Sequence, residues 1–145
     1  MTAVKHIAPA SLPAPEIDDL NRPHWDGLLE GELRFQRCAA CDHAWLPARE
    51  HCPSCLGNDV RWEAGSGEAR LISWITYYVA FDPAFKERLP YIVAIVALKE
   101  GPRMLTNIVG IESEADLSIE MRLALAIEWE GETAVARFRL AGEKA

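Results

Sequence analysis

The sequence lacks an uninterrupted apolar run approaching the roughly 20 residues of a membrane helix, so no membrane-spanning role is expected. Its first fifteen residues carry one lysine and three prolines but no continuous apolar core, and a secretory signal is not expected either. A soluble, cytoplasmic protein is the resulting expectation. Positive charge is also short: 15 Lys and Arg stand against 22 Asp and Glu, for a net charge of −7. Residues 1–62 hold six basic and nine acidic groups and residues 63–145 hold nine and thirteen, so no basic half hides behind an acidic one. Proteins that grip a phosphate backbone by counterion release display a clustered cationic face. Tight nucleic-acid binding is therefore disfavoured. Among His6, His24, His43 and His51 there is no H-x3-H, HExxH or Ser/His/Asp arrangement, and no G-x-S-x-G, phosphate loop or dinucleotide fingerprint occurs. No catalytic constellation is visible.

What is present is an ordinary globular composition, half hydrophobic and 26% charged over 145 residues. A chain of this length buries roughly 68–70% of its unfolded surface, enough for one hydrophobic centre. Residues 1–15 read as an extended, proline-punctuated arm. Glu16 to Leu33 is the helical candidate, with Asn21 as cap, Pro23 in the first turn and Gly31 as stop. Trp25, Leu28 and Leu29 would share one face. From Gly67 the pattern becomes β. Leu71–Ala80 is β-branched and aromatic, and Tyr91–Leu98 is apolar on both faces, as a central strand is. Met104–Val109 returns after a Gly101-Pro102 turn. Leu123, Leu125, Ile127 and Trp129 alternate with Arg122, Ala124, Ala126 and Glu128; Ala136, Phe138 and Leu140 alternate with Arg137 and Arg139. Five strands, with one longer link from Ile111 to Glu120, suit a small closed or nearly closed barrel. The expected division is an arm and helix over 1–33, a ribbon over 34–62 and a barrel over 63–145.

The scarce cysteines carry the strongest signal. All four lie in one window, Cys38-x2-Cys41 and Cys52-x2-Cys55, the paired knuckles of a zinc ribbon. Each C-x2-C turn aims two sulfurs inward, and two facing turns complete a tetrahedron that suits Zn²⁺. Iron in a rubredoxin-like site is chemically open as well, since it accepts the same four thiolates. Disulfides would need an oxidising compartment, and a redox pair would not come in duplicate. A closed four-cysteine site leaves no position for water or substrate, so one structural metal per chain is expected. Trp45, Leu46 and Trp62 are the expected apolar cover of the ribbon. Arg34, Arg37, Arg49 and Arg61 flank it, balancing the negative thiolate centre, and Arg37 and Arg49 are candidates for a phosphate-bearing ligand. Phe81 and Phe85 read as a loop pair between strands, where aromatics suggest contact with another molecule.

A helix, then a four-cysteine ribbon, then a five-strand barrel is a specific order. The chain resembles the zinc-ribbon, OB-fold proteins grouped as domain of unknown function 35 and associated with acyl-CoA metabolism. The resemblance runs from Trp25 to Leu140. It is carried by Trp25-Asp26-Gly27-Leu28, Gly31-Glu32-Leu33-Arg34-Phe35-Gln36-Arg37-Cys38 and Trp45-Leu46-Pro47-Ala48-Arg49. It continues in Ser66-Gly67, Leu89-Pro90-Tyr91-Ile92-Val93, Gly101-Pro102-Arg103 and Arg137-Phe138. Two departures, Ala69 and Glu120-Met121 where the family usually has glycine and Gly-Met, bear on local turns and strand ends. The resemblance implies a mainly β protein: an N-terminal helix, a rubredoxin-like zinc ribbon and a C-terminal five-stranded OB-fold barrel. It also implies a non-catalytic accessory subunit in a hetero-oligomer with a thiolase-like or hydratase-like enzyme, binding or positioning an acyl-CoA, a coenzyme A thioester shared with the partner. Trp25, Trp45, Phe81 and Phe85 are candidates for an apolar platform, with Trp45 read as core, and Trp25, Phe81, Phe85 and Arg103 are the expected contact anchors. The alternative is a nucleic-acid-binding zinc-ribbon/OB module, against which the charge argues.

Overall fold

The N-terminal helix forms, but over fewer residues than the periodicity suggests. In the computed structural model, which describes residues 5–6 and 14–142, α1 covers Arg22–Leu29 and not the whole of Glu16–Leu33. Ahead of it, the Asn21 side chain accepts from the Asp18 amide, Asp18 accepts from the Asn21 amide, and the Asn21 side-chain nitrogen donates to the Glu16 carbonyl. Asn21 thus closes a turn before the helix and makes no side-chain cap to it. Gly31, at φ +90°, ends the helix as expected. Leu28 is 2% exposed but Leu29 is 54% exposed. Leu29 lies about 100° around the helix from Leu28, on the solvent side of the face the three were expected to share. Gly27 is where the helix meets the ribbon: a Cβ there would lie 2.8 Å from the Arg34 side chain. Arg34 crosses that gap to pair with Glu32 at 2.6 Å and Glu30 at 2.7 Å.

Most of the expected arm lies outside the described residues; within it, β1 (Lys5–His6) runs parallel to Trp129 and Glu130. The ribbon is a three-stranded sheet with β2 (Arg34–Cys38) central, antiparallel to β3 (Ala44–Trp45) on one side and β4 (Val60–Ala64) on the other.

The remaining strands are β5 (Glu68–Tyr77), β6 (Tyr91–Leu98), β7 (Arg103–Ile108), β8 (Arg122–Glu130) and β9 (Thr133–Leu140). They pair in the order β8-β5-β6-β7-β9, and β9 returns to β8, closing a five-stranded barrel. Every pairing among them is antiparallel except β7 to β9, which meet in parallel at Ile108 and Phe138. This is the mixed, closed topology of an OB barrel. A register irregularity between Leu71 and Ser73 lets β5 bend from one neighbour to the other. β5 starts before the expected Leu71 and stops at Tyr77, because the segment after it folds into a 3-10 turn, Pro83–Arg88, begun by Asp82 accepting from the Ala84 amide. A shorter 3-10 turn, Glu114–Asp116, lies in the long link. Glu120, where the family usually has glycine, holds φ +71°, so the turn keeps the geometry that glycine would adopt.

The barrel interior is filled by Leu71, Ala94, Val96, Leu123, Ala136 and Phe138, with Leu28 and Leu33 plugging the side nearest the ribbon. The ribbon has its own, much smaller centre: Cys38, Trp45 and Cys52, with Val60 against them. Among the described residues no helix is long and apolar enough to cross a membrane.

Candidate metal centre

Two near-identical knuckles build the centre. In the first, the Cys38 amide donates to the His43 carbonyl and the Asp42 amide to the Cys38 carbonyl; in the second, Cys52 donates to Gly57 and Leu56 to Cys52. The residue after each second cysteine, Asp42 or Leu56, takes a left-handed φ of 71° or 66°, which turns the chain back on itself. Amides inside each turn then point at sulfur. Ala40 and Cys41 donate to Cys38 Sγ at 3.3 and 3.4 Å, and Ser54 and Cys55 donate to Cys52 Sγ at the same distances. Gly57 adds a donor to Cys55 Sγ at 3.4 Å.

The four sulfurs lie within 4.8 Å of one another, with Cys38–Cys55 and Cys41–Cys52 each at 3.6 Å. A tetrahedron with metal–sulfur bonds of about 2.3 Å has edges of about 3.8 Å, so the cage has the size that Zn²⁺ requires. No disulfide joins these cysteines. The acidities agree with a cation-binding cage. The Cys41 amide and its neighbour hold the Cys38 thiol below its ordinary value. Burial pushes Cys52 up, but the amides of Cys55 and Ser54 outweigh it and bring the thiol down to about 7. Cys41 has a lowering amide contact at His43, yet burial among the other three sulfurs pushes it up to about 12. Four thiolates this close need a central positive charge to coexist. Cys38, Cys41, Cys52 and Cys55 fit a tetrahedral thiolate metal, with every ligand position supplied by the chain.

The rest of the ribbon departs from expectation in two places. Trp45 is buried beside the cysteines, with His43 stacked on it at 5.7 Å, but Leu46 packs on the barrel core and Trp62 does not join the ribbon cluster. Val60 takes that place because register sets it opposite Cys38, whereas Trp62, on the same face of β4, lies opposite Gln36, two residues further from the knuckle. Arg37 donates to Glu63 at 3.0 Å and to the Asp42 carbonyl, and lies over the Phe35 ring at 5.5 Å. Arg49 is exposed, with its backbone amide donating to the buried Gln36 side chain at 2.7 Å.

The expected contact residues fall into two groups. Trp25 and Arg103 come together with Leu46, Pro47, Ile95 and Leu105 around one apolar groove. Phe81 and Phe85 lie at the other end of β5 and β6, where Phe81 stands edge-on to Tyr77, Tyr77 stacks on Tyr91 at 5.2 Å and Phe85 lies 5.6 Å from Tyr91.

A third group escapes the sequence reading altogether. Alternation assigns Arg137 to the outer face of β9, yet it is buried, donating to Glu128 at 2.8 Å and Glu130 at 2.5 Å. Arg88, from the Pro83–Arg88 turn, reaches over to make two 2.8 Å bonds with the same Glu130. This network borders a cleft of about 820 Å³ that Phe85, Tyr91 and Asn107 also line. The pattern of Glu128 and Glu130 across the hairpin from Arg137 is the one signal that could have found it.

Comparison with known proteins returns the same two-part organisation. Residues 25–61 match the family model described as ChsH2, rubredoxin-like zinc ribbon domain, and residues 62–128 match ChsH2, C-terminal OB-fold domain. A DUF35 domain-containing scaffold protein of Methanothermobacter thermautotrophicus is 30% identical over 109 residues, 73% of this chain and 81% of that protein. A probable enoyl-CoA hydratase alpha subunit of Thermomonospora curvata is 33% identical over 117 residues, 81% of this chain but 35% of that protein. The chain thus spans about a third of that subunit's length. Among solved structures, a chain of an Ltp2-ChsH2(DUF35) aldolase superposes with a TM-score of 0.76 at 33% identity, covering 88% of this chain and 98% of its own.

Proposed function

The chain belongs to the domain of unknown function 35 family, with its ChsH2-type zinc ribbon and OB-fold domains, and from that premise we propose a non-catalytic accessory subunit that binds or positions an acyl-CoA for a thiolase-like or hydratase-like partner enzyme. The observation that carries the reading is the near-complete overlap with the aldolase-complex chain, in the absence of leftover chemistry at the metal centre. Relatives named scaffold protein and hydratase alpha subunit support the same role. Cys38, Cys41, Cys52 and Cys55 would hold one Zn²⁺, whose contribution is to cross-link the two knuckles. A closed four-thiolate site polarises no substrate, because a catalytic zinc keeps a position open. The protein is proposed to work in the cytoplasm, where thiols stay reduced and available to metal.

The test is an assay of the purified chain against acyl-CoA thioesters for acyl transfer, retro-aldol cleavage and hydration. No turnover is expected from the chain alone, and turnover is expected to rise when it is added to its enzyme partner. Activity of the isolated chain would sink the accessory role.

The charge balance yields a separate expectation. With −7 overall and both halves acidic, affinity for single-stranded DNA or RNA should be no better than about 10⁻⁴–10⁻⁶ M at physiological salt, the non-specific range. Fluorescence anisotropy with a labelled oligonucleotide checks this; a submicromolar complex with a steep salt slope would favour a nucleic-acid module instead.

A further inference from the structure

The outer face of β5, β6 and β7 carries an apolar surface that the barrel does not use. Register places Tyr77 beside Tyr91, Ile75 beside Val93 and Asn107, and Ser73 beside Ile95 and Leu105. Their alternates, such as Ala94 and Thr106, point into the barrel and are buried. Ile75 and Leu105 are 56% and 68% exposed. No Asp, Glu, Lys or Arg occurs in 73–77, 91–97 or 104–108, although 26% of the chain is charged. An antiparallel sheet with one wet face normally alternates apolar-in and polar-out. Here β6 has the pattern of a strand covered on both sides, yet its outer residues Tyr91, Val93 and Ile95 stay part-exposed. The two groups of expected contact residues border this same face. Phe81 and Phe85 stand at one end, with Phe81 85% exposed, and the Trp25–Arg103 groove, of about 610 Å³, lies at the other. Charge reappears only in the row of Arg70, Ala97 and Arg103. Arg70 is held by Glu120 at 2.6 Å, whereas Arg103 is exposed and makes no ion pair among the described residues.

We propose that this face is the docking site for the partner enzyme subunit, which presents an apolar patch with a carboxylate at its edge to receive Arg103. The proposal rests on the accessory-subunit reading above and says where on this chain that reading is realised. A strip about 20 Å long and about 10 Å wide follows from the strand spacings, enough for the dry centre of an interface. It is well short of the roughly 800 Å² per partner of a standard interface, so the occupant also engages the aromatic end and the groove. A second copy of this chain would bring a further −7 to the contact, and self-repulsion opposes it. The named relatives point the same way, one being an alpha subunit and another part of a two-component aldolase.

The experiment mixes the full chain with purified thiolase-like and hydratase-like subunits of its source organism and measures affinity by calorimetry and assembly by sedimentation velocity. Leu105→Glu and Ile75→Lys alter exposed side chains, so metal content and melting temperature should match wild type. Each is expected to weaken binding at least 100-fold. Glu132→Lys, at the exposed tip of the β8–β9 turn, should stay within threefold. Equal binding by wild type and Leu105→Glu overturns the docking site while leaving the accessory role intact. A wild-type chain that binds neither class of subunit overturns the accessory role, and the docking site with it. A self-dimer abolished by Leu105→Glu assigns the face to a second copy and overturns the proposal.

Discussion

Cys52→Ser is expected to unfold the ribbon and leave the barrel folded. The reason is the disparity between the two hydrophobic centres. The ribbon interior holds two cysteines, Trp45 and the flank of Val60, within the 29 residues from 34 to 62. Units below roughly 40 residues generally need a metal or disulfides to fold. Structural zinc supplies an apparent 10–16 kcal/mol in such units, far more than this small centre provides. Cys52 is buried, and its sulfur receives the amides of Ser54 and Cys55, so the serine removes a ligand and loosens its own knuckle together. The barrel draws on a separate core from Leu71 to Phe138, with Leu28, Leu33 and Leu46 as its contribution from the N-terminal part. Elemental analysis should find one zinc per wild-type chain and little in the variant. Hydrogen exchange should show the Cys38 and Cys52 amides, which bond His43 and Gly57, losing at least about 10³-fold protection while β6 and β8 keep theirs. Removing metal from wild type with a chelator should reproduce the pattern. Iron in the protein, or cooperative loss of both parts together, would contradict it.

The features legible in the sequence are those set by local pattern. The cysteines are legible because a knuckle is a tight turn whose ligands sit at fixed spacing, and the structure brings those four sulfurs together. Tyr91–Leu98 reads as central and lies between β5 and β7. Where distant segments decide, the reading falls short. The helix is overextended because Asp18 and Asn21 satisfy each other instead of starting it. Arg137 is assigned to solvent because alternation distinguishes two faces of β9 without saying what lies on either. Its cover arrives through Arg88, nearly fifty residues earlier. Trp62 is misplaced for a related reason: it shares a face with Val60, and which of the two lies against the knuckle depends on a pairing with β2 that no local periodicity reveals. The contact anchors Trp25, Phe81, Phe85 and Arg103 read as separate residues in the sequence. Helix, turn and strand placement together gather them into two groups, Trp25 with Arg103 and Phe81 with Phe85 near Tyr77 and Tyr91.

Arg137→Ala should lower stability at neutral pH by about 3 kcal/mol, the range observed when one partner of a buried ion pair is deleted. The side chain is only 10% exposed, and it is shared by Glu128 and Glu130, themselves largely shielded. Truncation leaves two adjacent carboxylates with only Arg88 to offset them. Wild-type acidity gives the result a pH signature. Burial pushes the Glu130 carboxyl up, but hydrogen bonds from Arg88 and Arg137 outweigh it and hold the group below its ordinary value. A carboxylate depressed in the folded state contributes stability that is fully present above its unfolded pKa, about 4.3, and is lost as pH falls through the folded value. Wild type should therefore lose stability on acidification below about pH 4.3, through this group among others. In Arg137→Ala one of the two holding cations is gone, so Glu130 should titrate closer to its unfolded value and the acid loss should be shallower. Arg137→Lys restores the charge but not the reach of Nη1, which by itself donates to both carboxylates, and should recover only part of the stability. Urea denaturation of the three proteins at pH 7 and at pH 3.5 measures both effects. Parallel losses between the two pH values, or a neutral-pH change within 0.5 kcal/mol (about the noise of a surface substitution), would show that the Arg88–Glu130–Arg137 network does not stabilise the barrel.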